Sequence, residues 1–571
     1  MNTPSCWLLP LFLALLLFLI PLTSILNTDF SVFTAAIKFI CRQRHKPFHG
    51  LTATSSNQRD KNIDHSFSIS RAISLNISHC FPVELPSNPI TGTHCCPPTP
   101  SFSKLKDFKD FASPNATLRV RKPFHMLDEQ YIAKFEKGIA LMKALPQDDP
   151  RSFIQQAKVH CAYCNGAYHF YPPFQDTKFD IHRSWFFFPF HRWYIYFFER
   201  ILGNLIGDPH FALPFWNWDS IEGMQMPSCF TDRNSSLYHQ LRHQKHLPPH
   251  VVDLNYDLED RHVPSQQQVS YNLATMYKQM VLASTTELFM GSPFRLGDNP
   301  HPGIGSVEDA PHNTVHSWVG EADTPHREDM GTFYTAARDP IFYGHHSNLD
   351  RMWAIWKTLG EGRRDYSDED WLDSEFYFYD ENADFVRVKV RDCIDIKKLG
   401  YVYQDIDLPW LRTPPTSRKS KLLRQRKKDE VLSSKPIKFP LVLDSVTSVI
   451  VKRPKKIRSR EEKEKDEEVL VMEGIEFGSD KFVKFDVHVD DDEERLSNPD
   501  ETEFVGSFVN VPHGHGHNIT TTFKVAISKV LENLEAAEDD DVLVTLVPHV
   551  GKGDIILGNV KIQFIPRESK D

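Results

Sequence analysis

The sequence predicts an α-helical domain, a four-helix bundle with few short strands, followed by a C-terminal β-sandwich. Three observations carry that prediction. Histidines gather in two clusters, at 160–191 and 312–346, inside stretches dense in aromatic residues. Apolar residues between 131 and 359 recur at helical spacing. Beyond residue 469 they alternate with polar ones, as strands do. At 571 residues the chain is too long for one hydrophobic core, so two or three domains are expected. A composition of 40% hydrophobic and 25% charged residues is that of a globular protein. The net charge of −10 gives no reason to bind nucleic acid.

Taken in order, the chain opens with an apolar run at 8–26 that carries no charge. Residues 1–27 therefore read as a signal peptide, or as an uncleaved anchor that would bring the chain to a membrane. Residues 28–79 are polar and basic, a pro-segment or linker with little core of its own. YIAKFEKGIALMKAL at 131–145 is a helix stopped by Pro146. His191 opens a second helix through residue 206, aromatic on every face and suited to full burial. A third spans 269–283, followed by helical segments at 312–319 and 341–359, the last with Leu349, Met352, Trp353 and Trp356 on one face. Loops fill 207–268 and 291–311. Trp216 and Trp218 either pack in the core or line a site. FVRVKV at 385–390 is a strand. The basic stretch 412–440, with RQRKK inside it, is an exposed linker suited to proteolysis. The charged run 452–468 reads as a solvated loop. HGHGH at 513–517 reads as a glycine-spaced turn with exposed imidazoles, or as a site for stray copper.

The two histidine clusters carry the chemistry. His160, His182 and His191 fall within 32 residues of mainly aromatic sequence. In HNTVH, His312 and His316 are four apart, neighbours on one helix face, and His345 and His346 follow about thirty residues later. Each cluster supplies three imidazole nitrogens, with no carboxylate at ligand spacing. Such sites suit a pair of borderline-soft transition metals rather than magnesium or calcium. Asp350 and Asn348 are candidates to accept hydrogen bonds from ligand N–H groups, with an Asp350–Arg351 ion pair as the alternative.

With these residues in place the chain resembles the plant polyphenol oxidases, the catechol oxidases and tyrosinases of the type 3 dicopper family. The resemblance runs from about Cys80 to the C-terminus and includes DWL (Asp370–Leu372), the Tyr401/Tyr403 pair and KFDV (Lys484–Val487). It implies a dicopper domain over 80–411, its DWL region at 365–411, and a shielding β-sandwich over 441–571. Copper A would be held by His160, His182 and His191, copper B by His312, His316 and His346, with His345 alongside. Disulfides Cys80–Cys96 and Cys95–Cys161 are implied, as is a thioether joining Cys164 to His182. Glu308 would hold a water that Asn313 helps polarise, a general-base pair for monophenols. Phe333 would overhang the pocket as a gate, and Ser317 would tune access.

The implied activity is oxidation of catechols to o-quinones with O2 reduced to water, with ortho-hydroxylation of monophenols in addition. The partners are then small phenols, O2 and a protease that removes the sandwich from a latent proenzyme. A haemocyanin-like reversible O2 carrier is the alternative, and a zinc-loaded or inactive scaffold is a third. The N-terminus predicts the secretory route, ending in the vacuole or outside the cell. The alternative is the thylakoid lumen, the destination of most proteins it resembles. Sequons at Asn76, Asn115, Asn234 and Asn518 are consistent with the secretory reading.

Overall fold

The computed structural model describes residues 71–83, 94–98, 105–360, 362–418, 428, 431, 437–491, 493–514 and 517–568. The expected signal segment, most of the 28–79 segment and the RQRKK run of the linker apart from Lys428 lie outside the described residues. Lys428, in the stretch expected to be exposed, is buried and pairs with Asp490 and Asp539.

Six helices frame the first part. α1 (Glu129–Ala144) is capped by the Asp128 carboxylate, which accepts from the Tyr131 amide at 2.7 Å. α2 (Phe153–Cys164) is capped by Ser152, carries His160 and has no counterpart among the sequence-predicted helices. Ten of its twelve residues are buried, so no polar face marks a 3.6-residue period. α3 (Phe187–Ile206) opens four residues ahead of His191, not at it, because Pro189 is tolerated in a first helical turn. Gly207, at φ 72°, ends it in the left-handed conformation. α4 (Ser265–Tyr277) continues as a π-turn through Leu282. α5 (Thr314–Val319) follows a kinked turn over Glu308–Asn313, broken at extended Ala310 ahead of Pro311, and α6 (Ile341–Trp356) completes the set. The histidine-bearing helices are α2, α3, α5 and α6.

Short strands tie the edges of this bundle. Leu75–Asn76 pairs with His169–Phe170, and Glu375–Tyr379 pairs with Phe385–Lys389. Ile73 and Leu75, within the expected 28–79 segment, are fully buried in the main core. Disulfides Cys80–Cys96 and Cys95–Cys161 fasten this N-terminal arm, the second to α2 beside His160.

The C-terminal part is a sandwich of two four-stranded antiparallel sheets. Its strands are β1 (Leu441–Val442), β2 (Thr447–Lys452), β3 (Asp466–Gly478), β4 (Val483–Val489), β5 (Phe504–Asn510), β6 (Asn518–Ala526), β7 (Asp541–Val550) and β8 (Ile556–Pro566). The sheet orders are β6-β3-β8-β1 and β5-β4-β7-β2. Leu470, Met472, Phe485, Val487, Phe508 and Leu546 fill the space between them. Within the charged run 452–468, read as a loop, Arg460–Lys465 is helical, started by a capping box from Ser459 and Glu462.

All seven residues of β5 are buried, although it is an edge strand. One face meets the sandwich core; the exposed edge of its backbone is taken up by the helical domain. The Val509 amide donates to Asp309 at 2.8 Å and the Val509 carbonyl accepts from Asn313 at 2.9 Å. An unpaired strand edge is thereby covered by side chains on the turn before α5.

Candidate metal centre

The six expected ligands meet as two adjacent triads. His160, His182 and His191 present ligand atoms within 4.8 Å of one another, and so do His312, His316, His345 and His346. Across the gap, the rings of His191 and His346 stack at 4.2 Å and those of His182 and His312 lie 5.8 Å apart.

Five of the six rings are oriented through Nδ1, whereas His346 Nδ1 is buried without a partner. His160 faces the Phe333 carbonyl at 3.1 Å, His191 the Phe187 carbonyl at 2.7 Å, His312 the Glu308 carbonyl at 3.0 Å and His316 the Met330 carbonyl at 2.8 Å. His182 faces the Asp180 carboxylate at 3.3 Å. A carbonyl can only accept, so these Nδ1 atoms carry the proton and Nε2 keeps its lone pair. The Nε2 atoms of His160, His182, His191 and His312 are buried without a hydrogen-bond partner. His316 Nε2 and His346 Nε2 lie 3.4 Å apart. Orphaned lone pairs converging in a dry pocket cost several kcal/mol unless a cation receives them, roughly 1–3 kcal/mol for each buried group. Burial also holds the imidazoles neutral, His316 at about 3 and the other five well below the usual histidine range. The donor set fits two copper ions, three imidazoles each.

His345 differs from its neighbour. Its Nδ1 accepts from the Trp218 indole N–H at 3.1 Å, so the remaining nitrogen carries the proton and is closed to a metal. Trp218 thus packs in the core and sets this tautomer at once, while Trp216 donates to the Gly223 carbonyl. Asp350 and Asn348 do not receive ligand N–H groups. Asp350 accepts from Arg192 at 2.5 Å, Arg121 at 3.2 Å and the Tyr401 and Tyr403 hydroxyls at 2.6 Å, a buried hub that joins α6 to α3. Arg351 pairs with Asp219, not with Asp350.

The remaining predicted residues surround the triads. Phe333 stacks on His182 at 4.0 Å and 3°. The Glu308 carboxylate accepts from the Arg183 amide at 2.6 Å, and burial pushes its pKa up to about 8. Asn313 is 2% exposed and not a solvent-side residue; its Oδ1 has no partner. The Ser317 hydroxyl turns back on the Asn313 carbonyl. Cys164 is a buried free thiol whose pKa burial raises.

The sandwich reaches this site through a segment that the sequence misrepresents. His513 is 2% exposed rather than sitting on an open turn, because the helical domain covers it. Its ring meets Phe333 edge-on at 4.6 Å and His182 at 5.5 Å, and its Nε2 lies 3.3 Å from Asp180. The Phe333 amide donates to the Pro512 carbonyl at 3.1 Å, and Arg183 donates to Asn510. Arg183 holds a left-handed backbone at φ 59°, uncommon for a residue with a side chain.

Residues 150–359 match the family described as the common central domain of tyrosinase, so fold and site together define a copper oxidoreductase with a type 3 dicopper centre. Residues 365–416 match the polyphenol oxidase middle domain and 439–564 the chloroplastic polyphenol oxidase C-terminal domain. The chain is 53% identical over 504 residues to a chloroplastic polyphenol oxidase of Malus domestica, covering 86% of this chain and 84% of that one. It is 53% identical over 501 residues to aureusidin synthase of Antirrhinum majus, covering 86% and 88%. Among solved structures, latent apple tyrosinase superposes with a TM-score of 0.77 at 52% identity, over 81% of this chain and 100% of that one. Latent aurone synthase gives 0.81 at 40% identity, over 87% and 100%. The chain belongs to the plant polyphenol oxidase family.

The relatives' names do not support the secretory expectation. Several are called chloroplastic, which matches the alternative destination.

Proposed function

We propose that this chain oxidises catechols to o-quinones and also hydroxylates monophenols, that it is made as a latent proenzyme, and that it works in the thylakoid lumen. The observation that carries the reading is the convergence of six buried imidazoles in two facing triads, four of them with an Nε2 that has no hydrogen-bond partner. When bound, the copper pair supplies the electron transfers that couple two catechol oxidations to the reduction of O2 to water.

The protein's own residues do the rest. Carbonyls and Asp180 hold five of the six imidazoles in place before any metal arrives. Phe333, flat on His182, forms an aromatic floor against which a phenol ring can stack. Glu308 and Asn313 flank His312 and are the pair suited to hold a water and take a phenolic proton. In the closed form Asn313 is tied to Val509, so that water site is complete only after the sandwich leaves. The Cys164–His182 thioether would fix one imbalance in the cage, since His182 alone is oriented by a carboxylate rather than a carbonyl.

Oxygen uptake with a catechol and with a monophenol, before and after proteolysis, tests the reading with copper counted per chain. Catechol oxidation should rise on cleavage, and Glu308→Gln should depress the monophenol rate more than the catechol rate. Equal losses on both substrates would remove the general-base role. Peptide mapping of the copper-loaded chain tests the crosslink: separate Cys164 and His182 peptides would exclude it. Reversible O2 binding without catechol turnover would instead indicate a carrier.

A further inference from the structure

Away from the copper triads, a third group of metal-binding side chains lies in the 243–260 loop, where the helical domain meets the sandwich. His243, His246 and Asp260 each offer one ligand atom, all within 4.8 Å of one another. His243 Nε2 is 3.4 Å from Asp260 Oδ2, and His246 Nε2 is 3.0 Å from Asp260 Oδ1. The imidazoles are buried while the carboxylate is 30% exposed, so the group is open on one side.

The tautomer of His246 is fixed. Its Nδ1 lies 2.5 Å from the Trp318 carbonyl, which can only accept, so Nδ1 carries the proton. Nε2 therefore points a lone pair at a carboxylate oxygen. Either a second proton or a metal cation must relieve that contact. Burial opposes the proton: it holds His246 at about 4 and lowers His243, whereas Asp260, beside these imidazoles and bonded to Tyr256, is held ionised at about 2. Lys245 and Tyr256 also approach Asp260, at 3.2 and 3.0 Å, but Lys245 is 76% exposed and free to swing away. The 3.0–3.4 Å separations match two ligands about 2.0–2.1 Å from one zinc ion, at angles of about 95–110°.

We propose that His243, His246 and Asp260 form a third metal site, for zinc or a similar borderline divalent transition ion, separate from the copper pair. Two imidazoles and one carboxylate disfavour magnesium and calcium, which prefer all-oxygen shells. His246 and Asp260 line a cavity of about 300 Å³ shared by both domains, with Tyr256, His250 and His488, which leaves room for a further ligand. The metal acts as a clamp. His246 stacks on Trp318 at 4.5 Å and 7°, and Trp318 follows His316 by two residues on α5, so an ion here braces the wall behind the second triad.

The test uses the full-length, copper-loaded chain, dialysed against micromolar zinc and analysed for both metals. Two coppers and one zinc per chain are expected. His243→Gln and Asp260→Asn should each weaken zinc binding by at least about tenfold while two coppers remain. Cobalt in place of zinc should show ligand-field absorption that His243→Gln removes. His517→Gln, in the other histidine-rich segment, should leave the zinc count unchanged. His246→Ala is the poorer probe, because losing the ring stacked on Trp318 can unfold the loop by itself. No zinc beyond the two coppers would overturn the proposal. So would zinc binding that survives both substitutions at full affinity, or that disappears with His517→Gln.

Discussion

Asn510→Ala should activate the uncleaved chain. In the closed form the Arg183 guanidinium is 1% exposed and donates to the side-chain Oδ1 of Asn510. Removing the carboxamide leaves that guanidinium N–H short of a partner only while the sandwich is docked; once the end of β5 lifts, water replaces it. Asn510 also donates to the Lys481 carbonyl at 2.6 Å, but both belong to the sandwich, so that loss is the same in the open and closed forms. A hydrogen bond to a charged group contributes about 1.5–3 kcal/mol. At about 1.4 kcal/mol per tenfold, the open fraction should rise about 10- to 150-fold. Catechol-driven oxygen uptake by the intact variant should rise by the same factor, up to the rate of the cleaved enzyme. After cleavage, variant and wild type should be alike, because residue 510 leaves with the sandwich. An intact variant with two coppers and an unchanged rate would refute the argument that this contact holds the shield closed.

Three further outcomes follow from charged groups packed inside the fold. His549 on β7 lies 3.2 Å from Asp257 of the helical domain and 2.8 Å from Asp486 of β4, with Arg261 and Lys484 nearby. Asp486, despite an opposing burial effect, raises its pKa above the ordinary 6.5. The bridge is therefore fully formed below that ordinary value and is lost as pH rises through the raised one. Asp257 is depressed to about 2 and Asp486 lies lower still, so their own contribution fails only in strong acid. Cleavage at the linker should speed up from pH 6 towards alkaline values, and His549→Gln should flatten the profile; a slope of opposite sign would contradict the bridge. Asp350→Asn leaves Arg192 and Arg121 buried without their shared carboxylate and should cost about 3–5 kcal/mol, seen as faster unfolding in urea. Tyr401→Phe, which removes one neutral donor from the same carboxylate, should cost about 1 kcal/mol.

What was legible in the sequence follows from where the information sits. His312 and His316 announce themselves by i, i+4 spacing, and β3 to β8 by their alternation. α2 left no such trace, since nearly all its residues are buried and apolar and polar positions do not sort by face. The hydrogen-bond acceptors that orient the imidazoles were invisible for a different reason. Four are backbone carbonyls, which every residue has, and Asp350, placed one turn after His346, was drawn instead to two arginines. His513, flanked by glycine, looks like an open turn; its burial comes from Asp180 and Phe333, far off in the chain. His243 and Asp260 are seventeen residues apart in a region with no regular period, and only the folded loop brings them together.

Those same long-range contacts predict that shielding and metal binding are coupled. Phe333 accepts from ligand His160 through its carbonyl and donates to Pro512 through its amide, so one residue serves the cage and the shield. Arg183, which grips Asn510, directly follows ligand His182. Asp309 and Asn313, which hold both backbone groups of Val509, lie on the turn that carries ligand His312. Docking the sandwich therefore restrains the segments that carry the ligands as well as covering the pocket. Lifting it frees Asn313, the Phe333 amide and Arg183 together, and the residues proposed to handle the substrate's proton and ring gain their freedom in the same step that opens the path to them.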